Sequence, residues 1–204
     1  MLSKTRMEAF SDGVLAIAIT LLVLDLALRP PGDPLTQFLE GWPTYLAYVV
    51  SFLTIGAAWI DHNALTDRLA HVDTVLLRLN LFFLLLVAFL PYPTRLVAQG
   101  LEEAIAPERV AAVVYGLTLL LIQLSFWLMA TYARRGHLMS PGEDDPDLRE
   151  ERWKFRYAVA GYIVTIAVAL AYPPAAVGLY FVIAVFLVVP VRAVGELLRG
   201  DRFE

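Results

Sequence analysis

An apolar stretch near the start of the chain carries the side chains best suited to chemistry. Residues 8–28 are mostly apolar, yet Ser11 and Asp12 lie within them and Arg6 just precedes them. A carboxylate at membrane depth is costly unless a partner meets it, so such residues usually serve transport or join helices. An arginine, a hydroxyl and a carboxylate can relay protons, attract cations or form hydrogen bonds between helices.

If the stretch is helical, it has two different faces. At about 100° per residue, one narrow face is apolar and has Thr20 at its edge. That face holds Phe10, Gly13, Ile17, Leu21, Leu24 and Leu28. Asp12 lies nearly opposite, so we expect it to face other helices, because lipid would leave its carboxylate unpaired.

Arg6 and Asp12 need partners from elsewhere in the protein. They are six residues apart, whereas neighbours on a helix surface are three or four residues apart. Polar residues of later segments are candidate partners: His62, Asn63, His71 and Asn80. Trp59 precedes His62 by about one turn and could cover the cluster or donate its indole N–H. Polar groups commonly hold membrane helices together, which favours an interhelical network over a proton relay.

The composition indicates an integral membrane protein. Of the 204 residues, 59% are apolar, compared with roughly 45–50% in soluble domains. Six apolar segments approach the ~20 residues that cross a bilayer. They lie near residues 8–28, 43–61, 75–98, 107–133, 155–172 and 174–194. We therefore predict one all-α domain with six transmembrane helices.

Two connections between these segments are informative. Residues 134–154 are polar and predict a cytoplasmic loop. Within it, Asp145 and Pro146 resemble an N-cap and a first helical residue, so a short surface helix could lead into the fifth span. Pro173 and Pro174 separate the last two apolar segments and predict a tight helical hairpin. The alternative is a single re-entrant or kinked unit, because these two segments are the shortest.

Lysine and arginine residues predict the orientation. With six spans, one side of the membrane holds both termini and 13 of these residues, while the other side holds three: Arg29, Arg95 and Arg109. Cytoplasmic segments carry the excess of positive residues. We therefore predict a multi-pass protein of the plasma membrane or cell inner membrane, with both termini in the cytoplasm.

Several classes of function lack support in the sequence. The chain has no Gly-x-Ser-x-Gly, His-Glu-x-x-His or Gly-rich phosphate loop. It has no cysteine, and its three histidines are not spaced for a metal site on one helix face. Its basic residues follow membrane topology and do not form a nucleic-acid patch. We expect no enzymatic activity, no cofactor and no nucleic-acid partner.

The first span also carries a recognisable pattern. Arg6-x-x-x-Phe10-Ser11-Asp12 resembles the hallmark of the endosomal and lysosomal potassium channel family, the transmembrane protein 175 type, and its prokaryotic homologues. Residues 59–63, 79–83 and 90–94 resemble that family's second and third spans. The resemblance is concentrated in the first half of the chain, since later spans match only in number and hydrophobicity.

The resemblance implies a potassium channel that is a homotetramer around a pore of four first helices. Family members narrow at bulky apolar residues, which by position implies Ile17, Leu21 and Leu24. Thr20 takes the place where a hydroxyl or carbonyl contributes to ion coordination, so potassium ions are expected near Ile17 and Thr20. The motif residues imply a structural network, which here comprises Arg6, Phe10, Ser11, Asp12, Trp59, His62 and Asn80.

The physics of a narrow apolar pore agrees with this expectation. Apolar constrictions gate by dewetting and make ion dehydration the barrier. Asp25, near the outer end of the first span, could raise the local cation concentration at a pore mouth or be an ordinary solvated carboxylate. Two other functions stay open: a proton-coupled secondary transporter that uses Asp12, His62 and Asn80, and a non-conducting membrane scaffold.

Overall fold

A computed structural model describes residues 3–26, 33, 35–36, 41–103, 108–140 and 147–189, without the side chains of Asp25, 102–103 and 147–152. Nearly all of this part of the chain is helical, which confirms the all-α prediction. The helices are α1 (Lys4–Leu22), continued by a 3-10 helix (Val23–Leu26), α2 (Trp42–Asp67), α3 (Thr74–Phe89), α4 (Pro91–Glu103), α5 (Glu108–Arg135), α6 (Asp147–Ala171) and α7 (Pro173–Val188).

Local sequence signals explain where several helices begin. The Ser3 hydroxyl accepts a hydrogen bond from the Arg6 N–H at the start of α1. At the start of α3, the Asp73 carboxylate accepts a hydrogen bond from the Leu76 N–H at 2.7 Å. Proline occupies the first turn of α7, where its missing N–H costs nothing. Because α6 ends at Ala171 and packs against α7, the predicted helical hairpin is present.

Several helices are long and apolar enough to cross a bilayer. In the described part of the chain, four meet both criteria: α2, the joined pair α3 and α4 over Thr74–Leu101, α5, and residues Trp153–Ala171 of α6. Helix α7 is apolar but shorter, with 16 residues. Helix α1 has 19 residues, several of them charged. The chain is therefore a multi-pass membrane protein, and the count of six spans stays a prediction.

Helix α1 buries the face that carries Ser11. Its buried residues are Met7, Ser11, Leu15, Ala18 and Leu22, which recur every three or four positions along one face. This face packs against α2 and α3. The predicted apolar face is adjacent to this buried face and is exposed.

Three segments meet at the end of the bundle where α1 begins. The Lys4 ammonium donates to the Asp67 carbonyl at 3.1 Å, which joins the start of α1 to the end of α2. The connection after α2 pairs with the segment after α5 through the Leu69–Met139 bridge. The Tyr132 hydroxyl donates to Asp73 at 2.6 Å, and this hydrogen bond lowers the pKa of the Asp73 carboxyl. Lys4, Arg6, Arg68, Arg134 and Arg135 therefore lie toward one end of the bundle.

A group of buried hydroxyls joins four helices in the interior. Ser51 of α2 contacts the hydroxyls of Thr94 and Tyr115 at 2.7 and 2.8 Å. The Tyr115 ring meets Tyr180 of α7 edge-on, with centroids 5.4 Å apart. The Tyr180 hydroxyl in turn donates to the Ala112 carbonyl at 3.2 Å. These bonds satisfy polar groups that lipid or apolar side chains would leave unpaired.

Gly116 provides the space for the Tyr180 hydroxyl. A Cβ at position 116 would lie 1.9 Å from Tyr180 Oη and 2.6 Å from its Cζ. We expect Gly116→Ala to displace the ring, weaken the bond to Ala112 and destabilise the protein by about 1–3 kcal/mol. The measurement is the melting temperature of the purified protein in detergent.

Gly178→Ala is the matched control for this substitution. A Cβ at position 178 of α7 meets no described neighbour within 4 Å. Alanine favours helix over glycine by about 1 kcal/mol, so this variant should melt at or above the wild-type temperature. Equal melting temperatures for the two alanine variants would contradict the packing argument.

Candidate functional site

The apolar face of α1 is open in the single chain. Phe10, Ile17, Leu21 and Leu24 are 53%, 60%, 43% and 67% exposed. The helical wheel places Ser11 to one flank of this face, and Ser11 is buried. An exposed apolar face of this kind normally meets lipid, another protein or another copy of the same chain.

Thr20 presents oxygen at the edge of this face. It is exposed, and its hydroxyl donates to the Ile17 carbonyl at 2.9 Å. Because the hydroxyl proton is directed at the helix backbone, the two lone pairs of Oγ1 can accept from water or contact a cation. Asp25 follows in the 3-10 helix, but its side chain lies outside the described part of the chain.

A continuous set of hydrogen bonds crosses from α1 to α2 through α3. Ser11 Oγ donates to the Met7 carbonyl and accepts from Asn80 Nδ2, both at 2.9 Å. Asn80 Oδ1 then lies 2.9 Å from His62 Nε2. Since an amide oxygen can only accept, this geometry assigns the proton to His62 Nε2. All three side chains are at most 2% exposed.

Phe83 completes the packing around this network. Its ring stacks on the His62 imidazole with centroids 5.8 Å apart and planes 8° apart. Phe83 itself is fully buried and lies one helical turn after Asn80. Phe83 was not among the predicted site residues, although its spacing of three residues from Asn80 places both on the same face of α3.

Asp12 is exposed and forms a contact that is separate from this network. The Trp59 indole N–H donates to Asp12 Oδ1 at 3.0 Å, so the predicted indole donor is the partner of Asp12. In the described part of the chain, the hydrogen bonds of His62 and Asn80 lead to Ser11 and not to Asp12. The relay considered from the sequence is therefore not continuous in this structure.

The remaining candidates lie apart from the network. Arg6 is exposed, and no carboxylate among the described side chains pairs with its guanidinium. His71 is exposed in the connection after α2, where its backbone N–H donates to Leu138. Asn63 is half-buried, and its carbonyl accepts from Thr66. The described residues contain no group of three or more acidic or histidine side chains that could hold a metal ion.

Comparison with known proteins identifies the family. Residues 6–91 match the sequence model described as endosomal/lysosomal potassium channel TMEM175. A protein of Streptomyces collinus named as a potassium channel is 41% identical over 187 residues, which cover 89% of each chain. The chain belongs to the TMEM175 family. This confirms the family predicted from residues 6–12, 59–63 and 79–83.

Other TMEM175 relatives extend the comparison to structure and to animals. A crystal structure titled as a lysosomal potassium-selective channel TMEM175 homolog from Chamaesiphon minutus is 32% identical and matches with a TM-score of 0.73. The match covers 98% of both chains, so the similarity extends well beyond residues 6–91. A zebrafish protein named endosomal/lysosomal proton channel TMEM175 is 29% identical over 195 residues. This chain covers 35% of that longer protein.

The buried network of this TMEM175 chain generates a stability prediction. Asn80→Leu removes the acceptor of His62 and leaves a buried N–H without a partner. We expect a loss of about 1–3 kcal/mol, because an unsatisfied buried donor costs that much. The measurement is thermal unfolding in detergent, followed by size-exclusion chromatography of the purified protein.

Two variants control for the loss of an amide at this site. Asn63→Leu removes a half-buried amide outside the network and should melt near the wild-type temperature. The double variant His62→Leu/Asn80→Leu leaves no orphaned donor and should recover part of the loss. If Asn80→Leu alone unfolds at the wild-type temperature, the network does not stabilise the bundle.

Proposed function

We propose that this chain forms a potassium-permeable cation channel whose pore is lined by α1 from four copies. The observation that carries the proposal is the apolar face of α1, exposed in the single chain at Ile17, Leu21 and Leu24. Relatives from Streptomyces collinus and Chamaesiphon minutus carry names or titles as potassium channels. Four copies of one helix around an axis would cover this face.

The proposed topology has six spans with both termini in the cytoplasm. The spans are the α1 segment near 8–28, α2, the joined α3 and α4, α5, α6 and α7. The start of α1, the connection after α2 and the segment after α5 lie at one end of the bundle. That end is rich in lysine and arginine, and the positive-inside rule assigns it to the cytoplasm.

The proposed constriction consists of rings of Ile17, Leu21 and Leu24. These side chains recur about once per turn on the open face of α1. An apolar ring repels water, so an ion must shed part of its hydration shell to pass. Thr20 could then offer its hydroxyl oxygen to the partly dehydrated ion. We place Asp25 at the outer pore mouth from its sequence position alone.

The polar network has an indirect role in this proposal. Hydrogen bonds from Ser11 through Asn80 to His62 fix the rotation of α1 against α2 and α3. Because one face of α1 is fixed against α2 and α3, the residues on its exposed face are fixed toward the pore. Asp12 is held by Trp59 beside this network, and exposed Arg6 is available to a neighbouring copy. These residues position the pore helix and do not touch the ion.

Proton permeation is the second candidate function. It is supported by the zebrafish relative, which is named a proton channel. A proton-coupled transporter that uses Asp12 and His62 has less support, because their described hydrogen bonds lead to different partners. A non-conducting scaffold would leave the open α1 face without a transport role. No enzymatic activity is proposed.

Ion flux from liposomes tests the proposal directly. The purified protein is reconstituted, and flux is measured under a potassium gradient, a sodium gradient and a proton gradient in turn. The channel proposal expects potassium flux that exceeds sodium flux and needs no imposed proton gradient. Flux that requires the proton gradient would identify a proton-coupled carrier. Proton flux alone would favour proton permeation. Absence of all flux would favour the non-conducting scaffold.

Ile17→Asn should alter the constriction. A ring of amides holds water where isoleucine repels it, so we expect higher sodium flux and a potassium-to-sodium ratio closer to one. Ile17→Leu keeps the ring apolar and serves as the control, with a flux ratio near that of the wild type. Unchanged permeation in an intact Ile17→Asn assembly would remove Ile17 from the constriction.

A further inference from the structure

Helix α6 presents an unusual outer face. Among the described helices long enough to span a membrane, α6 has the smallest share of buried residues in its apolar stretch. That share is 22%, compared with 50% for α2. Its exposed residues recur every three or four positions, as on one helical face. They are Trp153, Arg156, Tyr157, Ala160, Ile163, Val164, Ala167 and Leu170. Among these described residues, Arg156 is the one charged side chain on an otherwise apolar and aromatic surface.

This face lies away from the pore helix. Helix α6 packs chiefly against α5 and α7, whereas α1 packs chiefly against α2 and α3. If α1 lines the central pore, α6 is at the periphery of the assembly and its outer face meets lipid. The apolar run from Ala160 to Leu170 is suited to acyl chains.

Aromatic side chains mark the level of the membrane interface on this face. Trp153 lies against Tyr157 with ring centroids 4.5 Å apart, and against Phe186 of α7 at 5.9 Å. Trp153 and Tyr157 are still 45% and 56% exposed. Tryptophan and tyrosine favour the headgroup level of a bilayer, where the ring is apolar and its N–H or O–H reaches water.

Arg156 is exposed on the same face, about one helical turn after Trp153. Among the side chains that the structure describes, no carboxylate pairs with it. A guanidinium that faces lipid needs an anion or water, and its planar fork matches a phosphate with two parallel hydrogen bonds. Exposed Arg135 of α5 lies toward the same basic end of the bundle. The surrounding positive charge favours a lipid with net negative charge over a zwitterionic one.

We propose that Arg156, which shares this exposed face with Trp153 and Tyr157, binds the phosphate of an anionic glycerophospholipid. The acyl chains of that lipid lie along Ala160, Ile163 and Val164, and the headgroup belongs to the leaflet at the basic end. The inference rests on the peripheral position of α6 in the proposed assembly. It does not require potassium conduction, so binding and flux can fail independently.

Lipid retention by the full-length protein tests this site. The purified protein is titrated with phosphatidylglycerol or phosphatidylcholine in detergent, and bound lipid is counted by native mass spectrometry. We expect the wild type to retain phosphatidylglycerol preferentially. Arg156→Gln should weaken that binding by about tenfold, the loss of a charge-assisted hydrogen-bonded contact. Arg109→Gln removes the same charge from the opposite end of α5 and should retain wild-type binding.

Further variants keep the test decisive. Arg156→Lys keeps the charge but loses the fork, so its retention should fall between those of the wild type and Arg156→Gln. Trp153→Leu leaves Arg156 in place and should also reduce retention. Equal retention by Arg156→Gln and the wild type would overturn the site. Equal binding of the two lipids would overturn its preference for anionic headgroups.

Discussion

The hydrogen bonds from Ser11 through Asn80 to His62 fix how α1 sits in the bundle. All three side chains are buried, and inside a membrane protein a broken bond of this kind has no water to replace it. The rotation of α1 is therefore restricted more tightly by these bonds than by apolar contacts, which many orientations could satisfy. Because Ser11 faces inward, Ile17, Leu21 and Leu24 face outward.

The rest of the bundle supports this arrangement at two levels. Near the basic end, Lys4, Asp67 and the strand-like pairing of Leu69 with Met139 hold the start of α1 beside the neighbouring connections. Deeper in the bundle, the hydroxyls of Ser51, Thr94 and Tyr115 join α2, α4 and α5. Thr94 follows Pro91 and Pro93, and its side chain also donates to the Leu90 carbonyl at the junction of α3 and α4.

Two exposed faces of the single chain differ chemically. The open face of α1 is apolar and carries the hydroxyl of Thr20, which suits an assembly around an axis. The open face of α6 is apolar along most of its length and ends in Trp153, Arg156 and Tyr157, which suits a lipid bilayer and its headgroups. The helices between them, α2, α3 and α5, supply most of the buried polar contacts.

The sequence by itself determined the all-α membrane architecture, the family and the division of α1 into two faces, because hydrophobic length and helical periodicity are local properties. Only the tertiary structure decided which polar groups meet. Asn63 and His71 were as plausible as Asn80 by type and position, but Asn80 reaches Ser11 and His62 while Trp59 reaches Asp12. Such pairings depend on the rotation and depth of separate helices, which no local pattern encodes. The buried triad of Ser51, Thr94 and Tyr115 escaped prediction for the same reason.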